Sequence, residues 1–216
     1  MAADLILYNY FRSSASYRVR VALELKSVPY EYRPVHLLKD EQNRPEFREI
    51  NAMGQLPCLV HKGKVLAQSV AMIEYIEALW PKPSLFPKDP YQAGLVRQCV
   101  EIVNSGIHPL QNLKAQKQIE VRFGANQDAK NDWAAFWIRE GFDSLEKFLA
   151  PHAGKYSIGD EVTAGDLFVL PQIVNARRFK VDLTPYPTLR KVEEACLKLP
   201  AFQKSHPDQQ PDTPKE

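Results

Sequence analysis

The sequence predicts an α/β domain followed by an all-α domain, and three observations carry that prediction. Over about the first 80 residues, apolar runs and helical stripes alternate in the order β-α-β-α-β-β-α. Pro81, Pro83, Pro87 and Pro90 then give the composition of a linker. Everything beyond them repeats with helical periodicity. The expected boundaries are 1–83 for the α/β domain, 84–91 for the linker and 92–216 for the helical domain.

In chain order, Leu5-Ile6-Leu7-Tyr8 reads as a short buried strand. Val19, Val21, Ala22, Leu23 and Leu25 then form a broad apolar stripe, mixed with Arg18, Arg20, Glu24 and Lys26, as on a packed helix. Ser13, Ser14 and Ser16 lie at the junction. Serines there can cap the helix, whose first turn offers unpaired N–H groups and the positive end of its dipole. Such a junction suits an anion, a thiolate included, although an ordinary N-cap uses the same residues. The run Tyr30 to Val35 alternates rings with polar residues, as a half-buried strand does. A polar stretch from Lys39 to Arg44 leads to a short helical piece around Phe47.

Two apolar runs around the turn Lys62-Gly63-Lys64 predict a β-hairpin. Pro57 stands at the head of the first run, where it cannot donate to a ladder. An edge strand would tolerate it, and so would a cis bond at a tight turn, which leaves the backbone of Leu56 open to an extended peptide. Ser69 is expected to cap a helix carrying Val70, Ile73, Ile76 and Leu79 along one side.

In the helical half, Leu95, Cys99, Ile102, Val103, Ile107, Leu110 and Leu113 recur at helical spacing, with Pro109 expected to kink or break the run. Further helices are expected around Trp133 to Leu149, Leu167 to Val174 and Leu189 to Leu199. Thr163-Ala164-Gly165-Asp166 has capping-box spacing with Asp in place of Glu or Gln, and its loss should cost about 1 kcal/mol or somewhat more. The polar tail after Pro207 is expected to be extended.

Composition narrows the function. With 44% apolar and 25% charged residues the chain reads as a soluble globular protein, and a net charge of +2 without a basic block gives no case for nucleic acid. No apolar run is long enough for a membrane span, and no secretory signal is visible, so a cytoplasmic protein is expected. Cys58, Cys99 and Cys196 are widely spaced in apolar patterns, which favours buried reduced thiols. The five histidines show no metal-ligand spacing, so no metal is expected.

Several separated motifs together resemble the zeta class of glutathione transferases. They are Tyr10-Phe11-Arg12-Ser13-Ser14 with Arg18-Val19-Arg20, the Gln55-Leu56-Pro57 turn, Gln68-Ser69 followed by Ile73-Glu74-Tyr75, and Ile107 to Leu113. Val162 to Leu167, Arg178 to Pro187 and Gln210-Pro211-Asp212 extend the likeness over nearly the whole chain. The resemblance implies the glutathione transferase fold, a thioredoxin-like N-terminal domain with an all-helical C-terminal one. It also implies a homodimer, with Met72, Tyr75 and the 95–103 helix as candidate interface. The activity implied is glutathione-dependent cis-trans isomerisation of maleylacetoacetate or maleylpyruvate in aromatic catabolism. Transfer of glutathione to α-haloacids and a non-catalytic binding role are the alternatives. Leu113, where maleylpyruvate isomerases can carry a further arginine, tilts the choice towards maleylacetoacetate.

The resemblance also distributes roles. Glutathione would act as a cofactor: its thiolate adds to the cis double bond, the bond rotates, and the thiolate leaves. Ser13, ranked above Ser14, would hydrogen-bond the thiolate and lower its pKa with the helix N-terminus. Ala15, Ser16, Tyr17 and Arg18 complete that turn, Ser16 and Tyr17 as cap and packing residues. Gln68 and Ser69 suit the γ-glutamyl carboxylate, Leu56 the cysteinyl backbone, and Gln42 the glycyl end. His108, Gln111 and Asn112 match the helical-domain wall. Arg12 and Arg178 would hold the substrate carboxylates, Arg177 beside the latter being a surface or ion-paired residue. Arg18 and Arg20 are expected to be structural, facing solvent or acidic partners. Zeta-class members commonly carry Ser-Ser-Cys at this turn; Ala15 stands in the third place, so no protein thiol is available there for exchange.

Overall fold

The computed structural model describes residues 4–214. These form two compact units. The first comprises the residues up to Leu85 together with those from Leu197 on, and the second runs from Phe86 to Cys196.

The first unit is built on a four-stranded mixed sheet. Its strands are β1 (Leu5–Asn9), β2 (Glu31–Pro34), β3 (Cys58–His61) and β4 (Lys64–Ala67), in the spatial order β2-β1-β3-β4. β1 runs parallel to β2, and β3 is antiparallel to both β1 and β4. Leu7 pairs with Tyr32 on one side and Leu59 on the other. Parallel pairing of β1 and β2 needs a crossover, which α1 (Ser14–Leu25) supplies. A short α2 (Pro45–Ile50) carries the expected Phe47. Pro57 immediately precedes β3, which lies inside the sheet and not at its edge, and the Leu56–Pro57 peptide is cis.

Helix α3 (Ser69–Leu79) differs from expectation in two ways. Its cap position is Gln68, and Ser69 is the first helical residue. Its buried stripe runs through Ser69, Met72, Ile73 and Ile76, so Met72 belongs to the core while Leu79 is 44% exposed. A stripe at i, i+3, i+4 and i+7 can be read from either of two adjacent registers. Met72 is therefore withdrawn from the candidate interface, since each buried side chain of its size contributes about 2 kcal/mol to the core it sits in.

Arg18 and Arg20 are structural as expected but do not face solvent: both are fully buried. Arg20 donates from Nε and Nη2 to the Ser205 carbonyl at 3.1 and 3.0 Å. It also donates to Asn9 Oδ1 and the Phe11 carbonyl, each at 3.0 Å. The polar side of α1 is covered by α10 (Pro200–Ser205), where the Phe202 carbonyl accepts from Tyr17 Oη at 2.9 Å. The tail is correspondingly not extended. It turns through a 3-10 segment at Pro207–Gln209, and Asp212 accepts from the backbone of Phe11 at 3.0 Å.

The second unit is helical: α4 (Pro90–Glu101), α5 (His108–Gln111), α6 (Leu113–Phe123), α7 (Gln127–Leu149), α8 (Ala164–Arg178) and α9 (Pro187–Leu197). The expected break at Pro109 takes the form of a π-helical stretch, Ile102–Ile107, just before it. A proline lacks the N–H and crowds the carbonyl four residues back, and a widened turn relieves both. Opposite this stretch α7 carries Gly141, where a Cβ would lie 2.2 Å from Ile107 Cγ1. Helix α6 escaped the sequence reading; its marks are Asn112 as N-cap and Gly124 in the left-handed region at φ 67°. The helix expected to reach Leu199 ends at Leu197, because Pro200 starts α10. The capping box at Thr163 and Asp166 is present.

Candidate active site

The turn between β1 and α1 places Ser13 at the N-cap. Its backbone is extended, at φ −70° and ψ 116°, and its Oγ accepts from Ser16 N at 3.2 Å. The lone pair is thus committed to the helix, and the hydroxyl proton remains able to point outward to an acceptor. Ser16 is not itself the cap: it is fully buried and its N–H is what Ser13 caps. Ser14 and Ala15 are buried in the first turn. Arg12 is part-exposed beside Ser13. Tyr17 is buried, bonding to Phe202 as above.

A second helix N-terminus belongs to the same unit. Gln68 adopts φ 74°, a region non-glycine residues rarely occupy, and its Nε2 lies 3.3 Å from Gln55 Oε1. Ser69 is nearly buried, and its Oγ accepts from Arg18 Nη1 at 3.2 Å. The buried guanidinium therefore stands behind the positive end of α3, which favours an anion at that end. Gln42 is buried, with Nε2 on Asp40 Oδ1 at 3.1 Å, while its Oε1 takes no hydrogen bond among the described residues. Gly54 closes the adjoining loop at φ 56°, where a Cβ would stand 2.8 Å from the Gln42 carbonyl. Leu56 is half-buried at the cis bond.

In the second unit, His108 is half-buried at the start of α5. Gln111 is 1% exposed and internally engaged: its Oε1 accepts from Asn175 Nδ2 at 2.9 Å, and its Nε2 lies 3.5 Å from Gln172 Oε1. Asn112 spends its side-chain oxygen on the backbone of Lys114 and Ala115. Arg177 makes a two-pronged ion pair with Glu193, at 2.9 and 2.6 Å. Arg178 is exposed at the end of α8, its guanidinium 4.9 Å from the Phe179 ring centroid. Gln172 and Asn175, which hold Gln111, carried no signal in the sequence beyond ordinary helix polarity.

No group of three or more metal-binding side chains occurs among the described residues, and no helix there is long and apolar enough to cross a membrane. All three cysteines are buried. Burial pushes the Cys58 thiol up to about 11 and raises Cys99 and Cys196 still further.

Comparison with known proteins places these features in a family. Residues 3–78 match the family model described as glutathione S-transferase, N-terminal domain. Maleylacetoacetate isomerase of Rattus norvegicus is 48% identical over 213 residues, 98% of this chain and 96% of that protein. A bacterial maleylpyruvate isomerase of the zeta class, solved in its holo form, superposes with a TM-score of 0.95 at 44% identity, covering 97% of this chain and 100% of that one. Maleylacetoacetate isomerase from Anaeromyxobacter dehalogenans, solved with glutathione in its active site, gives a TM-score of 0.89 at 42% identity over 99% of both chains. The thioredoxin-like sheet, the serine-capped α1 and the helical second unit follow from one ancestry, and the chain belongs to the zeta class of the glutathione transferase family.

Proposed function

We propose that this protein is a glutathione-dependent cis-trans isomerase acting on maleylacetoacetate or maleylpyruvate. The observation that carries the reading is Ser13 at the N-cap of α1, its Oγ accepting from Ser16 N at 3.2 Å. A hydroxyl donor at a helix N-terminus stabilises a thiolate relative to its thiol. When bound, glutathione would supply that thiolate, the nucleophile needed to turn the cis double bond into a rotatable single bond. The chain's own residues do the rest.

Ser13 donates to sulfur. Ser69, backed by Arg18, holds a carboxylate at the start of α3, and Gln68 beside it orients the same end. Gln42 offers a buried acceptor to the glycyl portion, and Leu56 its backbone beside the cis bond. Arg12 and Arg178 are proposed for the two substrate carboxylates, since bidentate pairing with Glu193 occupies Arg177. His108 is proposed as a contact and Gln111 as a support behind it. The A. dehalogenans isomerase solved with dicarboxyethyl glutathione and citrate supports a dicarboxylate subsite. A cytoplasmic homodimer using Tyr75 and α4 completes the proposal.

The test is glutathione-dependent loss of enol absorbance from either substrate, for the natural chain, Ser13→Ala and Ala15→Cys. Removing a hydrogen bond to a charged group costs about 1.5–3 kcal/mol, so Ser13→Ala should lower kcat/KM by about 10- to 100-fold. Turnover that appears only in Ala15→Cys would show that a protein thiol is required. Inactivity of all three would refute the isomerase and leave α-haloacid transfer or binding.

A further inference from the structure

We infer that Asp212, near the end of the chain, is a positioning residue for the turn that carries Arg12 and Ser13. The inference rests on the glutathione-dependent reading and deepens it. Four hydrogen bonds within the first unit anchor the turn. Ser13 N donates to the Tyr10 carbonyl at 3.0 Å, and Val35 N to the Asn9 carbonyl at 2.8 Å. The Phe11 carbonyl accepts from Arg20 Nη2, and the Phe11 N–H donates to Asp212 Oδ2, each at 3.0 Å. Asp212 Oδ1 in turn accepts from Tyr32 Oη. Both polar groups of Phe11 are therefore held by side chains, one from within α1 and one from the tail.

That arrangement fixes more than one residue. A peptide unit has only two soft dihedrals per residue, so holding both the N–H and the C=O of Phe11 fixes the course of the chain into Arg12 and Ser13. The same Arg20 guanidinium bonds to the Ser205 carbonyl, which tethers α10 to the turn. Asp212 also supplies a negative charge near the buried Arg20, whose charged form burial disfavours. The tail thereby acts as a strut: it keeps the N-cap hydroxyl and the first N–H groups of α1 aimed at one point. A site held to within a fraction of an ångström needs such support behind the residues that touch the ligand.

The experiment titrates the thiol of bound glutathione by thiolate absorbance in the binary complex, with no substrate present. It compares the natural chain with Asp212→Ala, Asp212→Asn, Tyr32→Phe and Glu146→Ala. The last removes a carboxylate that accepts from Thr188 and Leu189 N–H in the second unit, and so reports a stability loss in that unit. Asp212→Ala should raise the thiol pKa by about one unit, a tenfold loss of thiolate below that pKa, and lower kcat at saturating glutathione to match. Asp212→Asn keeps an oxygen for Phe11 N–H and should restore the titration, whereas Glu146→Ala should lower the melting temperature and leave it unmoved.

An unshifted thiol pKa in folded Asp212→Ala would overturn the inference, as would failure of Asn to rescue or an equal shift in Glu146→Ala. If Asp212→Ala does not fold, Tyr32→Phe decides: it removes one anchor of the carboxylate, and a thiol pKa equal to that of the natural chain would again overturn the inference. An ordinary thiol pKa in the natural chain's own complex would instead refute the glutathione reading itself, before any variant is made.

Discussion

Ser13 caps α1 through its hydroxyl oxygen. Its oxygen accepts from Ser16 N–H, and accepting there does not use the hydroxyl's own proton, so the cap is compatible with the donor role proposed for it. Ala15, two residues on, is buried and carries no thiol, and the three cysteines are buried elsewhere. Burial disfavours the thiolate, with Cys58 at about 11 the least raised. At pH 8 the folded chain should therefore take up no iodoacetamide within minutes, and three equivalents once denatured. Mass spectrometry would count them, and a native adduct at Cys58 would contradict the burial argument. Arg177 and Arg178 make the same point about neighbours. They are adjacent in sequence, yet one is committed to Glu193 and the other stacks on Phe179.

At the scale of elements, the capping box of α8 is worth more than its spacing implies. Asp166 accepts from Thr163 N at 2.8 Å, and its other oxygen from Ser157 N at 2.7 Å, all fully or nearly buried. An exposed cap contributes about 1 kcal/mol; two buried N–H groups left without acceptors cost more. Asp166→Ala should accordingly lose about 3 kcal/mol, read as a fall in urea midpoint at unchanged m-value. A loss near zero would mean that water replaces the carboxylate. The π-helical stretch before Pro109 and the glycine at 141 are likewise coupled. The widened turn brings Ile107 against α7 where only a hydrogen fits. Neither residue announces the other in the sequence.

At the scale of the molecule, the chain divides twice: once within the proline-rich stretch, between Leu85 and Phe86, and again after Cys196. Residues from Leu197 on group with the first unit, because α10 carries the carbonyls that satisfy Arg20 and Tyr17. Truncation after residue 199 would strand a fully buried guanidinium and a buried phenol. Breaking a buried charged contact costs about 3–5 kcal/mol, against a typical total of about 5–15. The truncated chain should lose its cooperative thermal transition by circular dichroism, and a melt within a few degrees of the full chain would show that the tail is ornamental.

The order β-α-β-α-β-β-α of the first unit, a serine cap on α1, the hairpin, the break at Pro109 and the Asp166 box were legible in the sequence, whereas α6, α10 and the choice of Ser13 over Ser16 as the cap were not. Each legible feature depends on residues within one or two turns of one another, where periodicity and capping chemistry act locally. The same was true of the family motifs, which lie in short contiguous runs. What only tertiary structure decided was which polar groups are buried and what satisfies them. Arg18 and Arg20 look like surface residues in any local window, and only contacts reaching 51 and 185 residues along the chain make them interior ones. Met72 entered the core, Gln111 acquired Asn175, and the tail closed over α1 for the same reason. Burying a polar group is costly unless a partner arrives, and in this protein the partners come from far along the chain, beyond what a local pattern can show.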